Sequence, residues 1–489
     1  MPQHQAAARR LALATFAISS IALFMTALDN LVVITALPVI KESLGASLSQ
    51  LEWTVNAYTL TFAVLLLTGA ALGDRFGRKR MFIIGVALFT GASAFAALAP
   101  TGDLLVIARA LQGFGAAIVT PLTLTILSDA VPKERRGLAL GAWGAIAGLA
   151  IALGPLVGGA IVEGLSWQFI FWVNVPIGIV LVPLAMAFLR ETHGPDGALD
   201  LPGLGLVSGG LFALVWGLIH GNEKGWTSTE IVIAFVAAAV LLAAFVAWEA
   251  RTSNPMLPLR FFRNRAFSAA NVVSLLMSFG LFGSIFLLAQ FFQVVQGYSP
   301  LEAGLRTLPW TMMPIFVAPI AGVLSDRIGS RPLLVTGMVL MSLGLAWIAT
   351  ISTPTVEYLA MVPAFVISGI GMSLFFAPTA NLVLSAVRPE EEGRASGVNN
   401  TIREIGGVFG VAILASVFSA NGGYTSPQAF VDGMVPAVWV GAAVLAVAAV
   451  AATFVPGRGS VRSSVHLPEV PELGGTRLAP VPIAVRAED

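Results

Sequence analysis

Long apolar stretches, separated by short polar segments, run along almost the whole chain. Between about residue 11 and residue 455, fourteen stretches are long enough to cross a bilayer. Lipid offers the backbone no hydrogen-bond partner, so such segments must be helical. The predicted spans are residues 12–37, 53–72, 81–99, 104–126, 138–160, 168–189, 201–220, 230–248, 267–294, 304–324, 332–351, 357–380, 395–419 and 432–454. The pattern therefore predicts an all-α membrane protein with fourteen transmembrane helices.

The composition agrees with this pattern. The chain is 57% hydrophobic and 11% charged, whereas soluble domains carry about 25% charged residues. A net charge of +1 argues against a nucleic-acid partner, and the absence of cysteine excludes disulfides and thiolate metal sites. The four histidines suggest no metal site. The sequence contains no nucleophile–base set, so an enzyme is not expected.

Lysine and arginine between the spans predict the orientation. Successive loops lie on alternate sides of the membrane. Counted in this way, 22 basic residues lie on the side that holds both termini. Three lie on the other side: Lys41, Lys224 and Arg306. Cytoplasmic loops carry the excess of such residues. We therefore expect both termini in the cytoplasm. Arginine outnumbers lysine 23 to 4, which suggests a GC-rich bacterial genome and hence a bacterial cytoplasmic membrane.

A charged hairpin occurs twice along the chain. Residues 72–77, Leu-Gly-Asp-Arg-Phe-Gly, have a near copy 252 residues later at 324–329, Leu-Ser-Asp-Arg-Ile-Gly. The Gly-Phe-Gly of residues 113–115 is likewise repeated as Gly-Ile-Gly at 369–371. Spans 1–6 therefore match spans 9–14, and spans 7 and 8 are an insert. Duplicated bundles around a midplane site are typical of alternating-access carriers.

The repeat predicts four regions. Residues 1–190 form an N-terminal six-helix bundle, and residues 191–256 contain two inserted helices. Residues 257–455 form a second, pseudo-symmetric six-helix bundle. The remainder, residues 456–489, is rich in proline and scattered charge and is expected to be a disordered cytoplasmic tail.

The two hairpins are candidates for a conformational latch at the cytoplasmic surface. Glycine permits a tight turn, the aspartate of the first copy could cap a helix N-terminus, and the basic residues could hold a partner helix when the carrier closes inside. Plain positive-inside topology with lipid headgroup contact is the simpler interpretation. The candidate latch residues are Asp74, Arg75, Gly77, Arg78, Asp326, Arg327 and Gly329.

Charged residues at membrane depth are the strongest functional candidates, because each costs at least about 2.5–3.5 kcal/mol at a helix centre. Asp29 in span 1 and Arg109 in span 4 lie at similar depth and could meet directly or through Gln112. Burial favours a protonated carboxyl group and a nearby arginine favours the charged form. We therefore expect Asp29 to carry the proton, the alternative being a static ion pair.

Arg403 and Glu404 are the other charges within a span. As neighbours on one helix they point about 100° apart, so at most one faces a cavity squarely. Glu404 is a candidate for a second proton site or a contact for a cationic substrate, and structural pairing is the alternative. Further polar residues that could line a substrate cavity are Asn30, Asn56, Tyr58, Gln112, Asn271, Gln290, Gln293, Asn381, Asn399, Asn400 and Arg403.

Span 5 carries a run of small residues around a proline. Gly154, Pro155, Gly158 and Gly159 would let helices approach closely, while proline bends a helix. The run predicts a hinge or a tight seam between the two halves.

These residues together resemble the major facilitator superfamily, and within it the fourteen-span drug:proton antiporters. Residues 70–79 resemble the signature of loop 2–3, although Ala70 replaces its usual first glycine. The other matching segments are residues 28–38 in span 1, 109–115 in span 4, 154–159 in span 5, and 53–58, 171–178 and 293–300, which are typical of the fourteen-span branch. The resemblance covers nearly the whole chain except the tail.

The resemblance implies the major facilitator fold and export driven by proton entry, with Asp29 and Arg109 in the coupling site. We expect antiport of small amphipathic drugs or antibiotics by alternating access, with no cofactor beyond the proton gradient and with a monomeric protein. The alternative is a proton-coupled importer of a small organic solute on the same fold. The residues do not identify the substrate.

Overall fold

A computed structural model describes residues 2–131, 136–194, 199–388 and 391–457. These residues form α-helices joined by short connections. In chain order the helices are α1 (Pro2–Leu44), α2 (Leu48–Phe76), α3 (Arg78–Ala97), α4 (Gly102–Ala130), α5 (Arg136–Gly164), α6 (Phe169–Trp172), α7 (Asn174–Phe188), α8 (Leu201–Lys224), α9 (Thr229–Glu249), α10 (Arg265–Gln290), α11 (Pro300–Thr311), α12 (Met313–Ile328), α13 (Ser330–Ile351), α14 (Tyr358–Ser385), α15 (Glu392–Asn421) and α16 (Pro427–Thr453).

The helices coincide with the predicted spans. Thirteen segments of the described chain are long and apolar enough to cross a membrane. The one predicted span not among these thirteen, residues 138–160, coincides with α5, a helix of 29 residues. The prediction of an all-α membrane protein is therefore confirmed. The predicted tail falls, from residue 458 onward, outside the described residues.

Two spans are interrupted and one ends in a π-helical turn. Span 6 consists of α6 and α7, and span 10 consists of α11 and α12. Pro314 lies in the first turn of α12, where its missing N–H leaves no helical hydrogen bond unmade. After α10, residues Phe291–Val295 form a π-helical turn, a feature that often occurs at functional sites.

Packing follows the order of the spans. In the first six, α1 packs on α4 and α5, α2 packs on α4, and α3 packs on α4 and α7. In the last six, α10 packs on α15 and α16, while α13 packs on α14 and α16. The inserted helices α8 and α9 pack on each other, and α8 also contacts both α2 and α15. The two sets of six spans meet where α5 contacts α11 and α2 contacts α15.

The turn between α2 and α3 marks one end of the helix bundle. Gly77 forms this turn with a φ of 102°, and Gly329 forms the matching turn between α12 and α13 with a φ of 88°. Positive φ values of this kind suit glycine, which has no Cβ. We call this end the hairpin end and the opposite end, where α2 and α4 begin, the distal end.

Candidate functional site

Asp29 and Arg109 form an ion pair inside the first six spans. Asp29 lies on α1 and Arg109 on α4, and both side chains are fully buried. Arg109 Nη1 donates to Asp29 Oδ2 and, at 2.8 Å, to Gln112 Oε1. Gln112 Nε2 in turn donates to Asp29 Oδ1 at 3.1 Å. The structure thus brings together the three side chains that the sequence places at similar depth.

Asn174 and Ser93 complete the network, and sequence reasoning did not select them. Asn174 Nδ2 donates to Asp29 Oδ1 at 2.7 Å, and Gln112 Nε2 donates to Ser93 Oγ at 2.7 Å. Both added residues are buried. Asn174 is the one strongly polar residue in the interior of span 6, a signal that could have identified it. Ser93 gave no such signal, because a serine hydroxyl often bonds to its own helix.

Arg109 has further partners on α2. Its Nε donates to the Thr54 carbonyl at 3.1 Å, and its guanidinium carbon lies 4.3 Å from the centroid of the Tyr58 ring. The Tyr58 hydroxyl donates to the Thr26 carbonyl at 2.9 Å. Arg109 Nη2 has no hydrogen-bond partner among the described residues. Arg109 therefore retains a carbonyl and an aromatic face as partners when its bond to Asp29 breaks.

The network has a chemical consequence for Asp29. Both carboxylate oxygens accept hydrogen bonds, and every donor is an N–H group of Arg109, Gln112 or Asn174. This arrangement suits a charged carboxylate. A proton on Asp29 would place an O–H group against these donors and remove the charge that faces Arg109. Protonation would thus break part of this hydrogen-bond network.

Glu404 lies on α15 of the second half, and its side chain is buried. Arg403 Nη2 donates to Glu404 Oε1 at 3.2 Å, whereas Glu404 Oε2 has no partner among the described residues. Arg403 is partly exposed, so of the two neighbours Glu404 is the more deeply buried.

The amides of α10 and α15 bind each other. Asn399 Nδ2 donates to Asn271 Oδ1 at 3.1 Å and to Ser274 Oγ at 2.9 Å. Asn271 Nδ2 donates to the Phe267 carbonyl at 2.8 Å. Of the predicted cavity residues, these two asparagines thus join helices within the second half. The structure places Asn381 on α14, where its Nδ2 donates to Ser325 Oγ at 3.3 Å.

Four more of the predicted cavity residues lie on four different helices. Asn30 is half-buried beside Asp29 on α1, and Asn400 is half-buried on α15. Asn56 is fully buried on α2, and neither atom of its amide has a partner among the described residues. Gln290 is the last residue of α10 and is also fully buried.

Glutamines near the π-helical turn reach other elements at the distal end. Gln293 Nε2 donates to the Thr35 carbonyl of α1 at 2.8 Å, which joins the second half to the first. Gln290 Oε1 accepts from the Tyr424 hydroxyl. Lys41 of α1 places its ammonium group 3.0 Å from the centroid of the Tyr424 ring. The contacts of Gln293 and Lys41 join the two halves near the distal end.

The small residues of α5 lie against two helices. A Cβ at Gly154 would meet Leu31 of α1, and a Cβ at Gly158 would overlap Thr35 and Val32. Glycine at these positions therefore lets α1 and α5 pack closely.

On its other face, α5 contacts α11 of the second half. A Cβ at Gly159 would overlap the Pro300 carbonyl, and a Cβ at Gly304 would overlap the Pro155 carbonyl. Glu163 at the end of α5 accepts from the Ser299 hydroxyl and, at 3.1 Å, from the Leu301 N–H. The run of small residues thus forms a tight seam between the halves at the distal end.

At the hairpin end, Arg78 binds two carboxylates. Its Nε and Nη2 donate to Asp74 Oδ1 at 2.9 and 2.8 Å, and its Nη1 donates to Asp129 Oδ2 of α4 at 2.6 Å. Arg75 is exposed, with its guanidinium group 5.3 Å from the Phe76 ring centroid. The hairpin therefore ties α2, α3 and α4 of the first half together.

The expectation that Asp74 caps a helix N-terminus is wrong. Asp74 lies in the last turn of α2, and Gly77, at the start of α3, has no side-chain cap. Glu191 caps α3 instead, because its carboxylate accepts from the backbone N–H groups of Lys79 at 2.9 Å and Arg80 at 3.1 Å. The chain returns to this end after α7, which brings Glu191 to α3.

The second hairpin differs in its contacts. The Ser325 and Ser330 hydroxyl groups lie 3.0 Å apart across the turn at Gly329. Arg327 lies in the last turn of α12, and the side chain of Asp326 lies outside the described part of the chain. Among the described residues, no three His, Asp or Glu side chains are grouped so as to hold a metal ion.

The sequence profile of the Major Facilitator Superfamily matches residues 19–411 and 272–477. The chain belongs to the major facilitator superfamily. It is 33% identical over 422 residues to a tetracenomycin C resistance and export protein of Streptomyces glaucescens, covering 86% of this chain and 78% of the relative. It is 36% identical over 413 residues to the multidrug resistance protein Stp of Mycobacterium tuberculosis, covering 84% and 76%. The chain is thus a multi-pass membrane protein of a transporter family.

The fold agrees with this assignment. The crystal structure of a POT family peptide transporter matches with a TM-score of 0.66 and 16% identity, covering 93% of this chain and 97% of that one. The sequence predicted a member of the drug-efflux families of the major facilitator superfamily. The two relatives named for resistance and export confirm this prediction.

Proposed function

We propose that this protein exports small amphipathic drugs or antibiotics from a bacterial cell in exchange for protons. Relatives named for resistance and export, 33 and 36% identical to this chain, support export. The observation that carries proton coupling is the buried Asp29–Arg109 pair, in which one carboxylate accepts from three N–H donors. A charged pair at this depth is expensive and is expected to have a function.

The orientation follows from the distribution of basic residues. We place the protein in the bacterial cytoplasmic membrane with both termini and the hairpin end in the cytoplasm, because 22 of 27 basic residues fall on that side. The distal end, where the α5–α11 seam lies, then faces outward.

Proton exchange at Asp29 would couple to the closing of the bundle. The charged carboxylate holds α1, α4 and α7 together through Arg109, Gln112 and Asn174. Protonation loosens that connection, while Arg109 keeps its bond to the Thr54 carbonyl and its contact with Tyr58. The charged and the protonated forms of Asp29 therefore favour different packings of α1. Because α1 also packs on α5, the change reaches the α1–α5 interface. A ligand shifts such an equilibrium only through unequal binding to the two states.

The energy available from the membrane potential is sufficient for export. One elementary charge moved through 100 mV supplies about 2.3 kcal/mol, and each 1.4 kcal/mol corresponds to a factor of ten. A single proton therefore sustains a substrate gradient of roughly 40-fold for a neutral substrate.

The other predicted sites take secondary roles in this proposal. Glu404, buried with one oxygen that has no partner among the described residues, serves as a second proton site or as a contact for a cationic substrate. The Arg78 cluster holds the hairpin end of the first half in one shape. We expect no cofactor, no enzymatic activity and a monomeric transporter.

Accumulation of a fluorescent drug in cells tests the proposal. Bacteria that express the wild-type protein should retain less ethidium or tetracycline than cells that express Asp29→Asn, and an uncoupler should remove the difference. Asp432→Asn, an exposed acid on α16, serves as the matched control and should behave as wild type. Greater accumulation with the wild-type protein would indicate import and contradict the proposal.

A further inference from the structure

Asp200 and Glu249 lie side by side at the hairpin end of the two inserted helices. Asp200 immediately precedes α8, and Glu249 is the last residue of α9. A Cβ at Gly203 would lie 2.5 Å from Asp200 Oδ2 and 2.9 Å from Glu249 Oε1, so the two oxygens border the same point beside α8. The Asp29 network and the Arg78 cluster use neither residue.

The two facing oxygens lack a hydrogen-bond donor. Asp200 Oδ2 and Glu249 Oε1 are both buried atoms without a partner among the described residues, and Glu249 as a whole is only 3% exposed. An ionised carboxyl group can only accept hydrogen bonds. Two charged groups here would therefore leave both oxygens unsatisfied and would repel each other. One proton on either group would supply the missing donor.

The helix ends favour that proton on Glu249. Asp200 caps the N-terminus of α8, where its Oδ1 accepts from the Gly203 N–H at 2.9 Å. Glu249 instead lies at the C-terminus of α9. The helix dipole stabilises negative charge at an N-terminus and positive charge at a C-terminus. The arrangement thus favours a charged carboxylate at Asp200 and a neutral carboxyl group at Glu249.

The two carboxyl groups join three segments of the chain. Trp248 Nε1 of α9 donates to Asp200 Oδ1 at 2.7 Å. Glu249 Oε2 accepts at 3.1 Å from the N–H of Leu257, which lies in the connection to α10. The start of α8, the end of α9 and this connection therefore meet at the pair. The connection leads into the second half, whereas α8 contacts both halves, so the pair helps to set how the insert is attached to them.

Within the part of the chain that the structure describes, no basic residue and no metal-ligand cluster neutralises the pair. Neither acid forms an ion pair, and no third Asp, Glu or His joins them to hold a metal ion. The other titratable or charged side chains at this end of the adjoining elements are Asp74 and Arg75 on α2, Glu191 and His193 before α8, Arg251, Arg260 and Arg263 in the connection, and Glu392 and Arg394 on α15.

We propose that Glu249 and Asp200 share one proton, with the Glu249 Oε1–H group donating to Asp200 Oδ2. Loss of this proton to water leaves two carboxylates, and their repulsion separates the start of α8 from the end of α9 and frees the connection to α10. In the orientation proposed above, this end faces the cytoplasm. The insert is therefore held tightly at low cytoplasmic pH and loosens as that pH rises, which makes the pair a pH-sensitive switch.

Infrared spectroscopy of the purified full-length protein tests for the shared proton. A protonated carboxyl group and a carboxylate absorb at different frequencies, so difference spectra report each lost proton. As the pH rises from about 5 to about 9, the wild type should lose a protonated-carboxyl component that Glu249→Gln lacks, because an amide cannot ionise. The matched control is Glu223→Gln, which removes an exposed acid at the opposite end of α8 and should retain that component.

A spin label in the connection tests the structural consequence. The chain contains no cysteine, so Ser253→Cys, at an exposed position between α9 and α10, supplies a single labelling site. Mobility of the label should increase with pH when Glu249 is present. The amide of Glu249→Gln can still donate to Asp200 Oδ2, so this variant should keep the label immobile over the same pH range.

The inference is overturned if Glu249→Gln loses the same infrared component as the wild type, or if label mobility follows pH equally in both proteins. Removal of the component by Ca²⁺ at constant pH would show that the pair binds a metal ion, which also contradicts the shared proton. Should Glu249→Gln fold poorly, Asp200→Asn, which keeps a capping side chain, takes its place. Neither measurement involves a substrate or a proton gradient, so failure here leaves the test of proton-coupled export unaffected.

Discussion

Helices α4 and α14 occupy equivalent places in the two halves, yet they carry different chemistry. Each has a Gly-x-Gly motif, at residues 113–115 and 369–371. A Cβ at Gly113 would overlap the Tyr58 carbonyl of α2, and a Cβ at Gly369 would overlap the Trp310 carbonyl of α11. The glycines therefore preserve the same close approach of helix to helix in both halves.

The side chains one turn earlier do not match. Arg109 precedes the first motif by four residues and binds Asp29, whereas Phe365 precedes the second by four residues. Phe365 packs on Trp310 and Phe292, with ring centroids 6.0 and 5.9 Å away. The close approach of the two helices is thus alike in both halves. Of the two described positions, 109 and 365, only 109 carries a residue of a buried ion pair. We infer that, of these two equivalent helices, α4 carries the coupling chemistry.

The largest effect on transport and stability is expected when Arg109 is replaced by phenylalanine, the residue at the equivalent position of the second half. Arg109→Phe leaves Asp29 as a buried carboxylate without a counter-charge. Breaking a buried ion pair in this way costs about 3–5 kcal/mol. We expect transport to be lost and the melting temperature of the purified protein to fall.

The double variant Asp29→Asn with Arg109→Phe is the control for this loss. It removes the unpaired charge and should recover most of the thermal stability without restoring transport. If the single Arg109→Phe variant had the melting temperature of the wild type, Asp29 and Arg109 could not form a buried, charged pair.

A smaller effect is expected from Gln112→Ser, which copies Ser368 of α14. The shorter side chain loses its hydrogen bonds to Asp29 and from Arg109, while the ion pair remains. We expect the initial rate of efflux to fall about tenfold, equivalent to about 1.4 kcal/mol. Ser368→Ala, at the equivalent place in the second half, should leave the rate unchanged. Equal effects of the two variants would contradict the assignment of coupling to α4.

The smallest effect is expected from Phe365→Leu. The change removes aromatic contacts with Trp310 and Phe292, each worth about 0.5–1.5 kcal/mol beyond the buried area. Thermal stability should therefore drop modestly. The number of protons exchanged per substrate, measured from the two fluxes in proteoliposomes, should equal that of wild type. A changed ratio would place coupling chemistry in α14 as well.

Much of the fold could be predicted because lipid imposes long apolar helices. All fourteen predicted spans overlap helices, and the ends differ by several residues where polar turns continue the helix, as at Pro2–Leu44. The breaks at Val173 and Met312 were not predicted, since both lie inside apolar sequence. A long apolar stretch predicts that a segment crosses the membrane. A break in the helix within that stretch does not change its hydrophobicity, so the sequence pattern does not reveal it.

The candidate site was predictable only where charge was involved. The meeting of Asp29 with Arg109 follows from their depths in two spans, because a charge in lipid requires a partner. Ser93 lies on α3 and Asn174 on α7. Whether their side chains reach Asp29 depends on how these helices are rotated about their axes, which the sequence does not reveal. The mistaken cap at Asp74 has a similar cause, since Glu191 is distant in sequence and reaches α3 only through the fold.

Proton movement across reconstituted vesicles tests the central claim most directly. Purified protein is placed in proteoliposomes that enclose a pH-sensitive dye, a gradient of a transported drug is imposed, and the internal pH is followed. With the wild-type protein, drug movement should drive a counterflow of protons, and Asp29→Asn should abolish that counterflow. Drug movement without any pH change in the wild type, or an undiminished proton flux in Asp29→Asn, would contradict the role of the buried carboxylate.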